Sequence, residues 1–171
     1  MSVKKYAVVY DSVTGNTKML ADEIEKIMGK NECTYFGTAE ACSADLSADI
    51  VFAGFWTDKG DCSEKMAGFL EKLENQNIFL FGTAGFGGAE EYFQKILEKV
   101  EAHLPEGNRL AGSYMCQGKM PESVKKRYEA MQEQNPENVK IKMMIENFDR
   151  ALSHPDQRDL DRLAEKLAKL N

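Results

Sequence analysis

Short apolar segments alternate with amphipathic helical patterns over the first two thirds of the chain. The apolar segments have the length of β-strands and lie at residues 6–10, 32–36, 49–53, 77–81 and 110–116. The third and fourth are continuously apolar, which is typical of strands covered on both faces. Between the strands, apolar residues recur at helical spacing, as at Leu20, Ile24 and Ile27. Strand and helix in alternation predict an α/β fold built on a parallel sheet.

The region after Cys116 is longer than one closing helix requires. It contains three helical candidates, at residues 122–132, 136–152 and 156–169. The last two carry clear apolar stripes, and residues 153–156 are predicted to supply a cap and a proline at the first position of the last helix. We therefore expect extra helices in the carboxyl-terminal part of the chain.

The chain has the size and composition of one globular domain. It has 171 residues, of which 43% are hydrophobic, which is enough for a sizeable core. Since no repeat or flexible linker divides it, a single domain is expected over residues 1–171. The longest apolar runs fall far short of the roughly 20 residues that cross a bilayer, and the amino terminus lacks the apolar core of a secretory signal. These features predict a cytoplasmic protein without a membrane segment.

The cysteines and histidines follow no metal-binding or disulfide pattern. Neither CxxC spacing nor Cys/His pairs at metal-ligand distance occur among Cys33, Cys42, Cys62 and Cys116. We therefore expect no disulfide framework and no metal site. The sequence also lacks a Ser/His/Asp or paired-carboxylate motif, so it predicts no catalytic side chain.

The negative charge is concentrated in the first half of the chain. The net charge is −6, with 8 basic and 13 acidic residues in residues 1–86 and 14 basic and 15 acidic residues in residues 87–171. A nucleic-acid backbone is disfavoured as a partner because binding phosphates requires a basic patch. The negative electrostatic field of residues 1–86 favours a basic protein partner. A surface whose charges only keep the protein soluble explains the charge equally well.

A polar, glycine-containing loop directly follows the first strand and opens an amphipathic helix. The unpaired amides at a helix N-terminus attract anions, Gly15 lets the backbone curl close to a ligand, and side-chain donors come from Ser12, Thr14, Asn16 and Thr17. The loop is not a Walker A motif, because its lysine follows the last hydroxyl. The loop is predicted to bind a phosphate; the alternative is a turn that only caps the helix.

With this loop the sequence resembles the flavodoxin family. The family pattern Ser/Thr-x-Thr-Gly-x-Thr is matched by Ser12, Val13, Thr14, Gly15, Asn16 and Thr17, in the expected place. The resemblance implies a flavodoxin-like, doubly wound, five-stranded parallel sheet of order 2-1-3-4-5 with helices on both faces. It also implies FMN as the cofactor, with its phosphate held by hydroxyls and amides of this loop.

The loop after the third strand is expected to meet the flavin ring, because doubly wound sheets bind ligands at the carboxyl ends of their strands. The residues predicted to bind the cofactor here are Phe55, Trp56, Thr57, Asp58, Lys59 and Gly60. By resemblance, Trp56 covers one ring face, with plain packing of Trp56 as the alternative and Phe55 as its substitute. Gly60 is the candidate for a peptide that changes orientation near flavin N5. Asp58 and Asp61 either lower the reduction potential or are simple loop acids.

The loop after the fourth strand is expected to complete the flavin site. The predicted residues are Thr83, Ala84, Gly85, Phe86, Gly87 and Gly88. Amides of the first three would meet the pyrimidine edge, and Phe86 would approach the second ring face. A dinucleotide-binding interpretation of the glycines is disfavoured, because that fingerprint belongs after the first strand. The extra glycines suggest an open flavin face.

The end of the fifth strand carries further polar residues. Cys116, Gln117 and Lys119 could bound a substrate or partner pocket beside the flavin, but a buried thiol and a polar turn are the more common explanation. These three residues are not among those predicted to bind the cofactor.

Three functions are compatible with these features. The first is an FMN-binding electron carrier between redox enzymes, a monomer or weak dimer that docks a reductase or acceptor enzyme through its acidic half. The alternative is an FMN-dependent reductase, or an accessory subunit of one, that acts on quinones or other small conjugated molecules. The third is an interaction module that has lost flavin, which the intact phosphate loop disfavours.

Overall fold

A computed structural model describes residues 4–43, 45–87 and 89–170. Gly88, one of the predicted cofactor residues, lies outside the described residues. The strands are β1 (Tyr6–Tyr10), β2 (Cys33–Thr38), β3 (Ile50–Asp58), β4 (Asp61–Cys62), β5 (Asn77–Ala84) and β6 (Arg109–Gln117). The helices are α1 (Asn16–Met28), α2 (Glu64–Leu70), α3 (Glu90–Glu101), α4 (Glu122–Gln134), α5 (Val139–Ala151) and α6 (Gln157–Ala168).

The five long strands form one parallel sheet in the order β2-β1-β3-β5-β6. This confirms the predicted flavodoxin-like order 2-1-3-4-5. The short β4 is an addition, and it pairs antiparallel with the end of β3. The order reverses at β1 and β3, so the loops that follow β1, β3 and β5 leave the same edge of the sheet side by side.

Each face of the sheet is covered by its own helices. Apolar residues of α2 and α3 form one core with inward residues of β1, β3 and β5. On the other face, Leu20 and Ile24 of α1 and Leu163 and Leu167 of α6 pack against the rings of the central strands. The sheet therefore has helices on both faces, and the carboxyl edge is left for loops.

The two central strands are longer than predicted. β3 continues to Asp58 and β5 continues to Ala84, through glycines that were expected to end the strands. Gly54 lies opposite Phe81, and Gly82 lies opposite Phe55. In each pair the aromatic ring occupies the space that a Cβ on the glycine would need. These glycines therefore serve cross-strand packing, on one face of the sheet and then on the other.

The carboxyl-terminal region contains the three predicted helices, of which α4 starts at the predicted residue and α5 and α6 start later. Asn138 caps α5, because its side chain accepts from the Ile141 amide at 3.2 Å, so the helix begins later than predicted. Asp156 caps α6 in a reciprocal capping box with Asp159. Pro155 precedes that cap and is not the first helical residue, contrary to expectation. Among the described residues, no helix is long and apolar enough to cross a membrane.

Candidate functional site

The predicted phosphate loop connects β1 to α1 at the carboxyl edge of the sheet. Gly15 occupies the N-cap of α1 with φ 88°, a left-handed conformation that favours glycine. A Cβ on Gly15 would meet nothing within 4 Å, so the space above the loop is open. Ser12 and Thr14 are half-buried, and the Ser12 hydroxyl accepts from the Lys18 amide at 3.3 Å. Val13 is 64% exposed at the tip. The loop therefore combines a helix N-terminus, two half-buried hydroxyl residues and open space at Gly15.

The lysine beside the loop belongs to the helix surface. The Lys18 ammonium donates hydrogen bonds to both carboxylate oxygens of Asp22, at 3.0 and 3.2 Å. This exposed pairing raises the pKa of Lys18. Among the described residues, the anion-binding capacity of the loop thus lies in backbone amides and hydroxyls.

Thr17 faces the sheet and not the open space. Its side chain is fully buried, and its hydroxyl donates to the Phe55 carbonyl at 3.0 Å and lies 3.0 Å from the Thr83 hydroxyl. Thr17 was predicted to add a side-chain donor for a phosphate. In this structure its hydroxyl instead fastens α1 to β3 and β5, so its backbone amide is what it offers to a ligand.

Asn16 links the loop to the segment that follows β6. Its side-chain nitrogen donates to the Lys119 carbonyl at 2.8 Å, and a Cβ on Gly118 would come within 2.5 Å of that nitrogen. Its Oδ1 is buried without a hydrogen-bond partner. An unpaired buried acceptor is costly, and a hydroxyl of a bound ligand is one group that could satisfy it.

Trp56 is held at the edge of the site by an acid that precedes the loop. Its indole nitrogen donates to Asp11 Oδ2 at 2.9 Å. The same oxygen accepts from the hydroxyl of Ser63, which caps α2 by accepting from the Met66 amide. Asp11 therefore fixes the Trp56 ring and the start of α2 relative to the phosphate loop. The half-buried ring is placed beside the loop.

Phe55 does not offer a substitute ring. Its side chain is fully buried in the core beneath α2 and α3, so the expectation that it could stack in place of Trp56 fails. Successive side chains of a strand point to opposite faces, and β3 here places Phe55 inward. Phe55 contributes to the site through its carbonyl, which accepts from Thr17.

The residues that follow Trp56 form a tight β-hairpin. Thr57 donates to the Thr83 carbonyl at 2.8 Å and so ties β3 to β5. Lys59 and Gly60 have φ values of 52° and 82°, as a two-residue turn between antiparallel strands requires. Gly60 lies at this turn, and its role near flavin N5 stays a prediction. Asp58 is exposed at the last position of β3.

Asp61 faces α3, and not the loops of the site. Its carboxylate oxygens both lie 3.1 Å from His103 Nε2. Burial acts to raise the pKa of Asp61, but hydrogen bonds from the Cys62 amide and from His103 outweigh it, so the pKa is lowered. The hypothesis that Asp61 places its charge beside a flavin ring is therefore not supported by its position, because both carboxylate oxygens face His103.

The loop after β5 is packed against the carboxyl-terminal region. Gln117 and Asn147 both donate to the Gly85 carbonyl at 3.0 Å, and Gln117 also donates to Asn147 at 3.0 Å. A Cβ on Gly85 would come within 2.5 Å of Met120, and one on Gly87 within 2.8 Å of Gln117. These glycines make room for neighbouring protein, which contradicts the interpretation that they leave an open face.

The other residues of this loop differ in exposure. Thr83 and Ala84 are buried, whereas Phe86 is 40% exposed. Phe86 is thus accessible to a ligand or partner. The hydroxyl of the buried Thr83 lies 3.0 Å from the Thr17 hydroxyl.

The polar residues at the end of β6 have structural roles. Cys116 is buried, and burial raises the pKa of its thiol well above its ordinary value, with Asp159 and Asp156 adding to the effect. The Gln117 side-chain nitrogen donates hydrogen bonds to the Gly85 carbonyl and to Asn147 Oδ1. Cys116 and Gln117, but not Lys119, also line a groove of about 990 Å³ that runs along β6 between α3 and α6, so two of the three residues lie beside a cavity as predicted.

Sequence reasoning missed four residues that shape the site: Asp11, Ser63, Gly118 and Asn147. Asp11 and Ser63 had local signals, since one adjoins the loop and the other precedes a helical pattern as a cap. Asn147 had no such signal, because an asparagine on an amphipathic helix does not indicate that its hydrogen-bond partner is Gly85, 62 residues earlier in the chain.

Comparisons with known proteins agree with the fold. The flavodoxin domain matches residues 7–168. A flavodoxin-like domain-containing protein BilS from Clostridium symbiosum is 40% identical over 171 residues, covering 91% of this chain and 90% of that protein. Among solved structures, a short-chain flavodoxin associated with a bacterial microcompartment covers 98% of this chain and 96% of its own, with a TM-score of 0.63 and 16% identity.

A second solved structure is a flavoprotein from Lactobacillus acidophilus in complex with FMN. It covers 66% of this chain and 93% of its own, with a TM-score of 0.50 and 14% identity. Identities this low show the fold alone. The domain match and the BilS relative, together with the sheet order and the loop after β1, establish that this chain belongs to the flavodoxin domain family.

Proposed function

We propose that this protein binds FMN at the carboxyl edge of the sheet and carries electrons between redox enzymes. The observation that carries the proposal is the loop at the start of α1, where Gly15 leaves an open space in front of the first-turn amides. The positive end of the helix dipole favours an anion there without a cationic side chain. When bound, FMN supplies the one- and two-electron chemistry that the side chains lack.

The residues around this loop suit the remaining parts of FMN. The hydroxyls of Ser12 and Thr14 would hold the phosphate together with the loop amides. The buried, unpartnered Oδ1 of Asn16 is an acceptor that a ribityl hydroxyl would satisfy. Trp56, held by Asp11, and the exposed Phe86 offer rings on the loops after β3 and β5.

The electron-carrier role is favoured over a stand-alone reductase. The reductase hypothesis depended on a face left open by the glycines after β5. Met120 and Gln117 occupy the space beside Gly85 and Gly87, so that support is removed. The excess of acidic residues in residues 1–86 suits docking of a basic redox partner.

The phosphate placement is tested by comparing FMN with riboflavin, which lacks the phosphate. Thr14→Ala and Ser12→Ala should each weaken FMN about 10- to 100-fold, since a hydrogen bond to a charged group contributes roughly 1.5–3 kcal/mol. Their riboflavin affinity should change little. Thr38→Ala, which removes an exposed hydroxyl at the end of β2, is the control. Equal losses for both flavins would place the phosphate elsewhere.

The carrier role is tested by enzymatic reduction of the FMN-loaded protein. We expect slow oxidation of NADPH by this protein alone and fast reduction once a flavodoxin reductase is added, followed by electron delivery to cytochrome c. Rapid NADPH turnover with a quinone and without any reductase would favour the reductase function.

A further inference from the structure

A cluster of three different metal-binding side chains lies beside the β3–β4 hairpin. It consists of Asp61 and Cys62 from β4 and His103 from the turn that follows α3, and their potential ligand atoms all lie within 4.8 Å of one another. His103 Nε2 is 3.1 Å from both Asp61 carboxylate oxygens. In a tetrahedral zinc site, ligand bonds of about 2.0–2.3 Å place the ligand atoms more than 3 Å apart. The cluster is therefore close to the size of a metal site.

A fourth residue orients the histidine. The Nδ1 atom of His103, on the other side of the ring from Asp61, lies 3.4 Å from Glu71 Oε1. Metal-binding histidines almost always donate their second N–H to a carboxylate, a carbonyl or a water, which fixes the ring and its tautomer. Glu71 is placed to accept that proton while Nε2 faces Asp61 and Cys62.

Burial also suits a metal site with one open position. Cys62 is only 8% exposed, whereas the side chains of Asp61 and His103 are 35% and 25% exposed. A metal ion could thus enter from solvent and reach a thiol that lies deeper.

We propose that Asp61, Cys62 and His103 bind one Zn²⁺ ion, with Glu71 as the residue that positions His103. A sulfur, a nitrogen and an oxygen ligand are a set that zinc accepts, and a water would complete the tetrahedron. The ion would join β4 to α3. It would thereby anchor the hairpin that follows Trp56.

This site departs from the expectation that the chain has no metal site. Cys62 and His103 are 41 residues apart in sequence and match no metal-binding spacing, and only the packing of α3 on β4 brings them together. A second cluster, of His154, Asp156 and Asp159, is different. It has no thiol, and its two carboxylates together close the capping box of α6, so a metal ion there would compete with the start of the helix.

The proposal is tested by metal titration of the full-length protein after treatment with EDTA. Co²⁺ serves as the spectroscopic probe, because a thiolate ligand gives a near-ultraviolet charge-transfer band. Spectra are recorded as differences from the same sample before addition, which removes any flavin absorption. We expect one Co²⁺ per chain with that band, displaced by one equivalent of Zn²⁺.

The variants assign the ligands. Cys62→Ser should abolish the charge-transfer band, and His103→Gln should weaken Zn²⁺ binding more than about 100-fold. Glu71→Gln, which removes the carboxylate that faces His103 Nδ1, should weaken Zn²⁺ binding about 10- to 100-fold. Cys42→Ser and His154→Gln are matched controls from outside the cluster, and they should bind as the unmodified protein does.

Several results would overturn the proposal. They are a saturable site without the band, no saturable binding, or unchanged affinity in His103→Gln. Since Cys62 is buried, Cys62→Ser could fail to fold; His103 is partly exposed, so His103→Gln, checked by circular dichroism, keeps the test decisive. The titration does not involve FMN, so its failure would leave the proposed function unaffected.

Discussion

The indole nitrogen of Trp56 donates a hydrogen bond to the carboxylate of Asp11, with 2.9 Å between the two atoms. Trp56 lies on β3 and Asp11 follows β1, so this bond joins the two strands at which the sheet order reverses. The Ser63 hydroxyl donates to the same oxygen. The only tryptophan of the chain is therefore fixed beside the phosphate loop. The carboxylate that fixes it belongs to Asp11, which directly precedes the family motif of residues 12–17 and is not part of it.

Asp11→Ala should release Trp56. Both the indole N–H and the Ser63 hydroxyl lose their acceptor, so the free energy of unfolding should fall by about 1–3 kcal/mol. Because Trp56 is the only tryptophan, its emission reports this change, and it should shift to longer wavelength. Asp22→Ala removes an exposed acid that pairs with Lys18 and should change stability by less than about 1 kcal/mol. An unchanged emission spectrum in Asp11→Ala would show that the bond does not fix the ring.

The two threonines of the loop should behave differently when their hydroxyls are removed. Thr17→Val leaves the Phe55 carbonyl and the Thr83 hydroxyl without a buried partner, so it should lower the free energy of unfolding by about 1–3 kcal/mol. Thr14→Val should leave stability within about 0.5 kcal/mol, since Thr14 is only half-buried. Urea unfolding of both variants measures the contrast. Equal stability of the two variants would contradict the inward placement of Thr17.

Asn147→Ala should weaken the attachment of α5 to the loop after β5. Asn147 is 8% exposed and bonds both Gly85 and Gln117, so its loss should cost about 1–3 kcal/mol of unfolding free energy. The loop should also exchange its amide hydrogens faster. Gln134→Ala, at the exposed end of α4, is expected to have almost no effect. Unchanged exchange in Asn147→Ala would mean that α5 does not hold the loop.

Cys116 should be the slowest cysteine to react with iodoacetamide in the native protein. The thiolate is the reactive form, and burial raises the pKa of Cys116, so almost none is present near neutral pH. Cys42 is only partly buried, although burial raises its pKa as well. Mass mapping should find the partly buried Cys33 and Cys42 labelled before Cys116, which should be labelled only after unfolding. Early labelling of Cys116 would contradict its burial.

The parallel sheet and most of the helices followed from the sequence, because the alternation of apolar periods depends on local residues, and the sheet order followed from the resemblance to the flavodoxin family. The ends of the central strands did not. Gly54 and Gly82 look like breaks in sequence, and only their cross-strand partners Phe81 and Phe55 explain why the strands continue. Pro155 was misplaced for a related reason, since the residue that caps α6 depends on its reciprocal bond with Asp159.

The phosphate loop was also identifiable in advance, since its residues are contiguous. The directions of its side chains were not. Whether Thr17 faces a ligand or the sheet depends on Thr83, which is 66 residues away. The glycines after β5 were misinterpreted because Met120 and Gln117, which fill the space beside them, lie about 30 residues further along the chain.

We propose that the loop at the start of α1 binds the phosphate of FMN. This proposal is tested by the visible absorption spectrum of the purified protein, recorded after FMN is added and the excess is removed. We expect one retained flavin per chain, with the emission of Trp56 quenched, and much weaker retention of riboflavin. A protein that retains no flavin, or retains riboflavin as well as FMN, would contradict it.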